Sequence, residues 1–371
     1  MTPPPDPPAR TPTQTQMQTD LRLGKAGGWR TVRLGRRVSF RLDRRALPVT
    51  LLLLAALLGL TMLSVSLGEY RVAPLDVVRA TLGLETGNDD HRLVVRLFRL
   101  PRTLLAALVG AALATSGVIL QGLTRNALAD PGILGVSSGA ALAAVALLVY
   151  FTAAPLGLLP FAAFGGALLT AALIYLFAWR DGSSPLRLIL IGVGFAAITQ
   201  ALTSLMVVFG NISDVQAAYV WLSGSVYGRG WAHVRVLALW LAVLLPLALL
   251  SARQLNLLAL GDESAAGLGV RLEYNRAGLI LVSVALAAGA VAVAGTVGFV
   301  GLVGPHLARR LVGPGHEGLL PAAALAGALL VVAADLVGRT VIAPSQLPAG
   351  LITAIIGAPY FMVLLWRYRD L

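Results

Sequence analysis

The residues that could do chemistry are few and scattered. The segment 135–139 (GVSSG) matches GxSxG, a pattern in which a serine nucleophile sits on a strand–turn–helix elbow. Here Ser137 lies at the start of an apolar helical stretch, and the same glycines serve helix packing, so hydrolysis is not expected. No GxxxxGK[ST] loop occurs, so any ATP used must be bound by another chain. There is no HExxH, and His91, His233, His306 and His316 lie far apart, which argues against a metal site. Cysteine is absent, which removes thiolate chemistry and disulfides. Charges inside apolar runs usually mark ion or proton paths, and here they are scarce. Asp335 stands four residues before Arg339, a spacing that reads as a helix-end ion pair. The chain is therefore expected not to be an enzyme and to bind no cofactor. A substrate path through it would be lined by weakly polar groups, with the driving energy supplied from elsewhere.

The elements that hold these residues are written in the composition. Of 371 residues, 57% are apolar and 12% charged, and the mean hydropathy is +0.81. Soluble domains carry about 25% charged residues, so a soluble enzyme and a disordered chain are both excluded. What remains is an all-α polytopic membrane protein. The net charge of +12 would suggest nucleic acid in a soluble chain. Here the arginines flank apolar runs and report topology instead, with membrane lipid as the surrounding partner and no nucleic acid. Stretches free of Asp, Glu, Lys and Arg cover 46–68, 103–124, 131–179, 188–213, 236–252, 277–308, 318–334 and 340–366. The third breaks at 154–160 and the sixth near 295–298, which predicts ten transmembrane helices with both termini on one side. With the N-terminus inside, inner segments hold 20 Lys and Arg and outer loops 9, so both termini are expected in the cytoplasm. The outer cluster Arg92, Arg96, Arg99 and Arg102 is an exception that needs a reason.

Residues 1–47 are expected to form a cytoplasmic tail, disordered over the Pro-, Thr- and Gln-rich 2–19 and then basic over 21–45. Residues 48–371 form the membrane domain. Its longest polar inner loop, 254–276, has a partly amphipathic pattern. Gly261 suggests a break there and Asp262 an N-cap for a short helix, which would suit docking into a partner's groove.

Six ordered segments resemble the FecCD family, the permease subunits of type II ABC importers for iron–siderophore, haem and cobalamin. They are 99–103 (RLPRT), 121–139 (QGLTRNALADPGILGVSSG), 258–269 (LALGDESAAGLG), 294–309 (AGTVGFVGLVGPHLAR), 321–339 (PAAALAGALLVVAADLVGR) and 347–365 (LPAGLITAIIGAPYFMVLL). Ala127 departs from the family's usual proline after asparagine, and the long N-terminal tail is not a usual family feature. The resemblance implies a dimer with a second, identical or related permease, and an ABC ATPase dimer on the cytoplasmic side that uses ATP and magnesium. It also implies an extracytoplasmic substrate-binding protein, a bacterial plasma (inner) membrane location and alternating access. By the same resemblance Arg99, Arg102 and Arg339 would receive acidic residues of the binding protein. Gly261, Asp262, Glu263, Ala265, Leu268 and Gly269 would form the coupling helix at the ATPase groove. The translocation path would run near Ser204, Asn211, Ser223 and Ser225. His306 is expected to be a packing histidine with satisfied nitrogens. The rival reading is a secondary transporter or channel that needs no ATPase. Buried carboxylates or interrupted helices would mark it, and only the break near 295–298 fits.

Overall fold

The computed structural model describes residues 29–34, 38–43, 45–68, 70–86, 88–180, 182 and 184–367. The tail expected to be disordered, 2–19, lies outside them. An antiparallel hairpin precedes the membrane domain, with β1 (Trp29–Leu34) and β2 (Val38–Asp43) in register from Trp29 opposite Asp43 to Leu34 opposite Val38. The sequence reading contained no strand here.

The first helix, α1 (Ala46–Ser66), follows at once. Its end bearing Ala46 is called inner and its end bearing Ser66 outer. A segment expected to be loop then folds into α2 (Pro74–Leu82) and α3 (Asp89–Leu93). Pro74 starts α2 where no N–H is needed, and Gly83 ends it at φ 83°. A π turn, Val94–Arg99, joins α3 to α4 (Leu100–Thr124). Pro101 accounts for this turn, because proline has no N–H to give and its ring crowds the carbonyl four residues back. Leu100 N–H bonds to Val95 O, five residues back. That leaves the Arg96 carbonyl without a helical donor, and Trp231 Nε1 donates to it at 2.8 Å.

The remaining helices are α5 (Val136–Tyr150), α6 (Leu159–Ala178), α7 (Pro185–Val208), α8 (Ile212–Leu222) and α9 (Trp231–Leu250). Two short ones, α10 (Ala252–Ala259) and α11 (Asp262–Gly267), lead to α12 (Leu272–Ala294). Last come α13 (Val300–Val312), α14 (His316–Thr340) and α15 (Ala349–Arg367). Among the described residues, eight helices are long and apolar enough to cross a membrane, against the ten expected. The other two segments are helical but short. With 15 residues in α5 and 13 in α13, they reach about 20 Å, less than the roughly 30 Å of a hydrocarbon core.

Helix α4 is the centre of the bundle. It packs along α14, α12, α13 and α9, and is among the most buried of the spans. Water cannot drive helix association within lipid, so close backbone approach and shared hydrogen bonds must. Gly110 and Gly327 meet back to back, and a Cβ on either would overlap the other's carbonyl. A Cβ on Gly117 would overlap the Gly301 carbonyl, and Gly139 and Gly166 meet reciprocally between α5 and α6. Ser116 and Ser283, both fully buried, join α4 to α12 through hydroxyls 2.8 Å apart. Helix α1 stands at the rim with most of its length exposed, beside α14 and β2.

Candidate functional site

At the outer end, a helix terminus explains the basic cluster. The last carbonyls of α1 have no intrahelical donor. Arg99 Nη1 donates to Val65 O at 2.9 Å and to Ser66 O at 3.2 Å, and its Nη2 donates to Tyr70 O. Arg339 Nη1 donates to Leu67 O at 3.1 Å, and its Nη2 to Ser64 O and to Ser64 Oγ, the latter at 2.7 Å. Two cations thus cap the negative end of one helix dipole. Both residues are buried, and each also borders a cavity at this end. Arg96 caps α2 likewise, donating to Thr81 O at 3.0 Å.

Arg102 differs. Its Nε lies 3.0 Å from both oxygens of Asp335 and its Nη2 lies 2.8 Å from one, a charge-assisted fork. Its Nη1 donates to Gln346 Oε1 at 2.7 Å, and the guanidinium lies 5.4 Å from the centre of the Tyr227 ring. Asp335 therefore pairs chiefly with Arg102. Arg339, the partner expected from the spacing, is 3.9 Å away. A cavity of about 570 Å³ opens here, lined by Arg99, Arg102, Arg229 and Arg339 and by no carboxylate among the described residues. The Arg229 side chain makes no hydrogen bond or ion pair among the described residues, and its Nε is buried. Burial holds this guanidinium below its ordinary pKa.

A second cavity, about 510 Å³, adjoins Arg102 and is lined by Gln216, Tyr219, Ser223, Ser225, Tyr227 and Gln346, among others. Of the four residues placed on the path, the structure brings Ser223 and Ser225 to this cavity. It leaves Ser204 exposed on α7 and Asn211 at the start of α8, away from the lining. The sequence reading missed Gln216, Tyr219 and Gln346. Their signal was legible in part, because 216, 219, 220 and 223 fall on one face of a helix. Beside Ser223 and Ser225, three helix ends meet. Ser225 N–H donates to Ala294 O at 2.7 Å, Gly350 N–H donates to Gly224 O at 2.9 Å, and Thr296 Oγ1 donates to Leu222 O. A Cβ on Gly224 would overlap Thr296 O, and one on Gly350 would overlap Ser223 O. Irregular backbone at membrane depth is tolerated where it is buried or lines a cavity.

At the inner end, Gly261 begins α11 at φ 103°, φ being in the left-handed half where a side chain is strained. Asp262 is the first residue of α11 and not its N-cap; its carboxylate turns back to Arg125 at 3.0 Å and Arg276 at 2.6 Å. Ala265 is buried beneath the helix. Glu263, Leu268 and Gly269 are exposed. The six residues assigned to coupling thus divide into an inward half and an outward half. Nearby, Asn256 on α10 accepts from His316 N–H at 3.1 Å and donates to Glu317 Oε2 at 2.8 Å, fastening α10 to α14. Between these ends His306 packs edge-on against Tyr360, ring centres 5.7 Å apart. Its Nε2 is buried with no hydrogen-bond partner, contrary to the satisfied histidine expected. No group of three His, Cys, Asp or Glu able to hold a metal occurs among the described residues.

The model of the FecCD transport family matches residues 53–367. An achromobactin transport system permease of Dickeya dadantii is 45% identical over 355 residues, 94% of this chain and 100% of the relative. A siderophore transport system permease of Bacillus subtilis is 44% identical, covering 88% of this chain and 97% of its own. An Fe(3+) dicitrate transport system permease of Escherichia coli is 43% identical over 85% of this chain and 96% of its own. Among solved structures, an inward-facing metal-chelate type ABC transporter matches with a TM-score of 0.78 and 33% identity, over 86% of this chain and 99% of that one.

Proposed function

The chain belongs to the FecCD transport family, and from that membership we propose that it is a permease subunit of an ATP-driven importer of ferric siderophores in a bacterial plasma membrane. The observation that carries the reading is the cavity beside Ser223 and Ser225, set against a three-way junction of broken helices. Its lining mixes Gln, Ser and Tyr side chains with Val220, Leu347 and two prolines and is free of carboxylates among the described residues, with one arginine already neutralised by Asp335. That suits a bulky metal chelate better than a bare cation. The chain crosses the membrane ten times, with α5 and α13 as short spans and both termini inside. It pairs with an identical or related permease, and α11 presents Glu263, Leu268 and Gly269 to an ABC ATPase dimer that binds the ATP and magnesium. An extracytoplasmic binding protein delivers the chelate, and alternating access moves it inward.

Two measurements test this. Capture of the tagged chain from native membranes should return a stoichiometric ABC-type ATPase. Uptake of ⁵⁵Fe-labelled siderophore by cells should stop with orthovanadate, an inhibitor of such ATPases, and survive a proton ionophore for as long as ATP lasts. Uptake that ignores vanadate and collapses with the ionophore would instead mark a secondary transporter.

Of the four arginines lining the outer cavity, docking of the binding protein falls to Arg229, while Arg99 and Arg339 hold α1 and Arg102 holds Asp335. Replacing Arg229 by Gln should slow association about tenfold or less at low salt and little at high salt, because a charge lining an open cavity steers encounter and salt screens it. The melting midpoint should stay put. Arg339→Gln should instead lower that midpoint. Equal docking losses in both variants, with equal stability, would restore the original assignment.

A further inference from the structure

The inner end of α4 carries an arrangement that packing alone does not explain. Arg125 is the C-cap of α4 at φ 51° and ψ 30°, in the left-handed region. Glycine is the usual residue there, because a side chain is strained. An arginine stands here, and its Nη2 reaches Asp262 Oδ1 at 3.0 Å. The same oxygen receives Arg276 Nη2 from the first turns of α12, at 2.6 Å, and the Arg276 side chain is only 5% exposed. A Cβ on Gly261 would come within 3.4 Å of Arg125 Nη1. That is ordinary contact: the guanidinium lies against the start of α11, and it is the φ of 103° that calls for glycine there. Helix α11 has six residues, too few to be stable without such support.

We propose that Arg125 is a positioning residue that sets the tilt of α11, with Asp262 as its receiver and Arg276 as the second clamp. The arrangement is two-sided. Asp262 and Ala265 face the bundle, while Glu263 and Leu268 face away. Helix α4 runs without a break from Arg102 to Arg125, about 35 Å at 1.5 Å per residue. At its far end it is held by Asp335. One rigid member thus joins the outer arginine cluster to the helix that, on the reading above, meets the ATPase. A displacement at either end is delivered to the other without passing through the junction at Gly224.

The chain has no cysteine, so a single spin label is unambiguous. In the full chain in lipid nanodiscs, Leu268→Cys carries the reporter label and Leu75→Cys, exposed near the start of α2, carries the control. Arg125→Gln should raise the motional rate of the Leu268 label severalfold and leave the Leu75 label unchanged, and Arg125→Lys should restore most of the ordering. Arg125→Gly keeps the backbone conformation and loses the guanidinium, so it should behave like Arg125→Gln. An immobile Leu268 label in Arg125→Gly or Arg125→Gln would overturn the assignment, as would equal loosening of both labels. No ATPase or substrate enters the experiment, so its failure is distinct from failure of the transport reading.

Discussion

Asp335→Asn is expected to destabilise the folded chain by about 3–5 kcal/mol, the cost of breaking a buried ion pair from one side. Asp335 is 1% exposed and is the carboxylate that Arg102 grips through three contacts of 2.8–3.0 Å. Arg339 lies 3.9 Å from it. Its loss takes from Arg102 the carboxylate it grips, with Arg339 also nearby. Salt should not rescue the variant, because buried charges are poorly screened. Thermal unfolding in detergent, followed by tryptophan fluorescence, measures this. The double variant Arg102→Gln with Asp335→Asn should recover part of the loss. A single variant as stable as the parent would mean that Asp335 contributes nothing.

Two neighbouring glycines give the second large contrast. Gly166 faces the Gly139 carbonyl of α5, and a Cβ there would overlap it. Gly165, one position earlier on the same helix, has nothing within 4 Å of a Cβ. Gly166→Ala should therefore cost about 1–3 kcal/mol or more by overpacking. Gly165→Ala should be neutral or gain up to about 1 kcal/mol through helix propensity. Gly110→Ala and Gly327→Ala should resemble Gly166→Ala, since each meets the other's backbone. Yield of monodisperse protein and its melting midpoint report the difference. Equal behaviour of the two neighbours would refute close backbone contact as what holds α5 to α6.

Much of this was legible beforehand, because run length and charge placement are one-dimensional signals. Every apolar run named from the sequence contains helix, and the break near Gly295 separates α12 from α13. What was not legible depends on partners distant in the chain. The spacing of Asp335 and Arg339 suggested a local pair, but Asp335 binds Arg102, 233 residues away. Asp262 looked like an N-cap because it follows a glycine, yet its acceptors face two helices and leave the amides of α11 alone. The resemblance singled out Arg99 and Arg339, and only geometry shows that carbonyls of α1 engage them. The face formed by Gln216, Tyr219 and Ser223 was readable in principle. It was passed over because one short helix inside an apolar region offers little contrast.

The capping of α1 bears on how the chain is made. Arg339 and Ser64 are 275 residues apart, so the outer end of the first span is completed by a residue near the end of the ninth predicted span. A ribosome has released most of the polypeptide before Arg339 exists, and until then the carbonyls of Ser64 and Leu67 lack their donors. Insertion of α1 and its final seating are thus separate events in time, the second awaiting nearly the whole translation product.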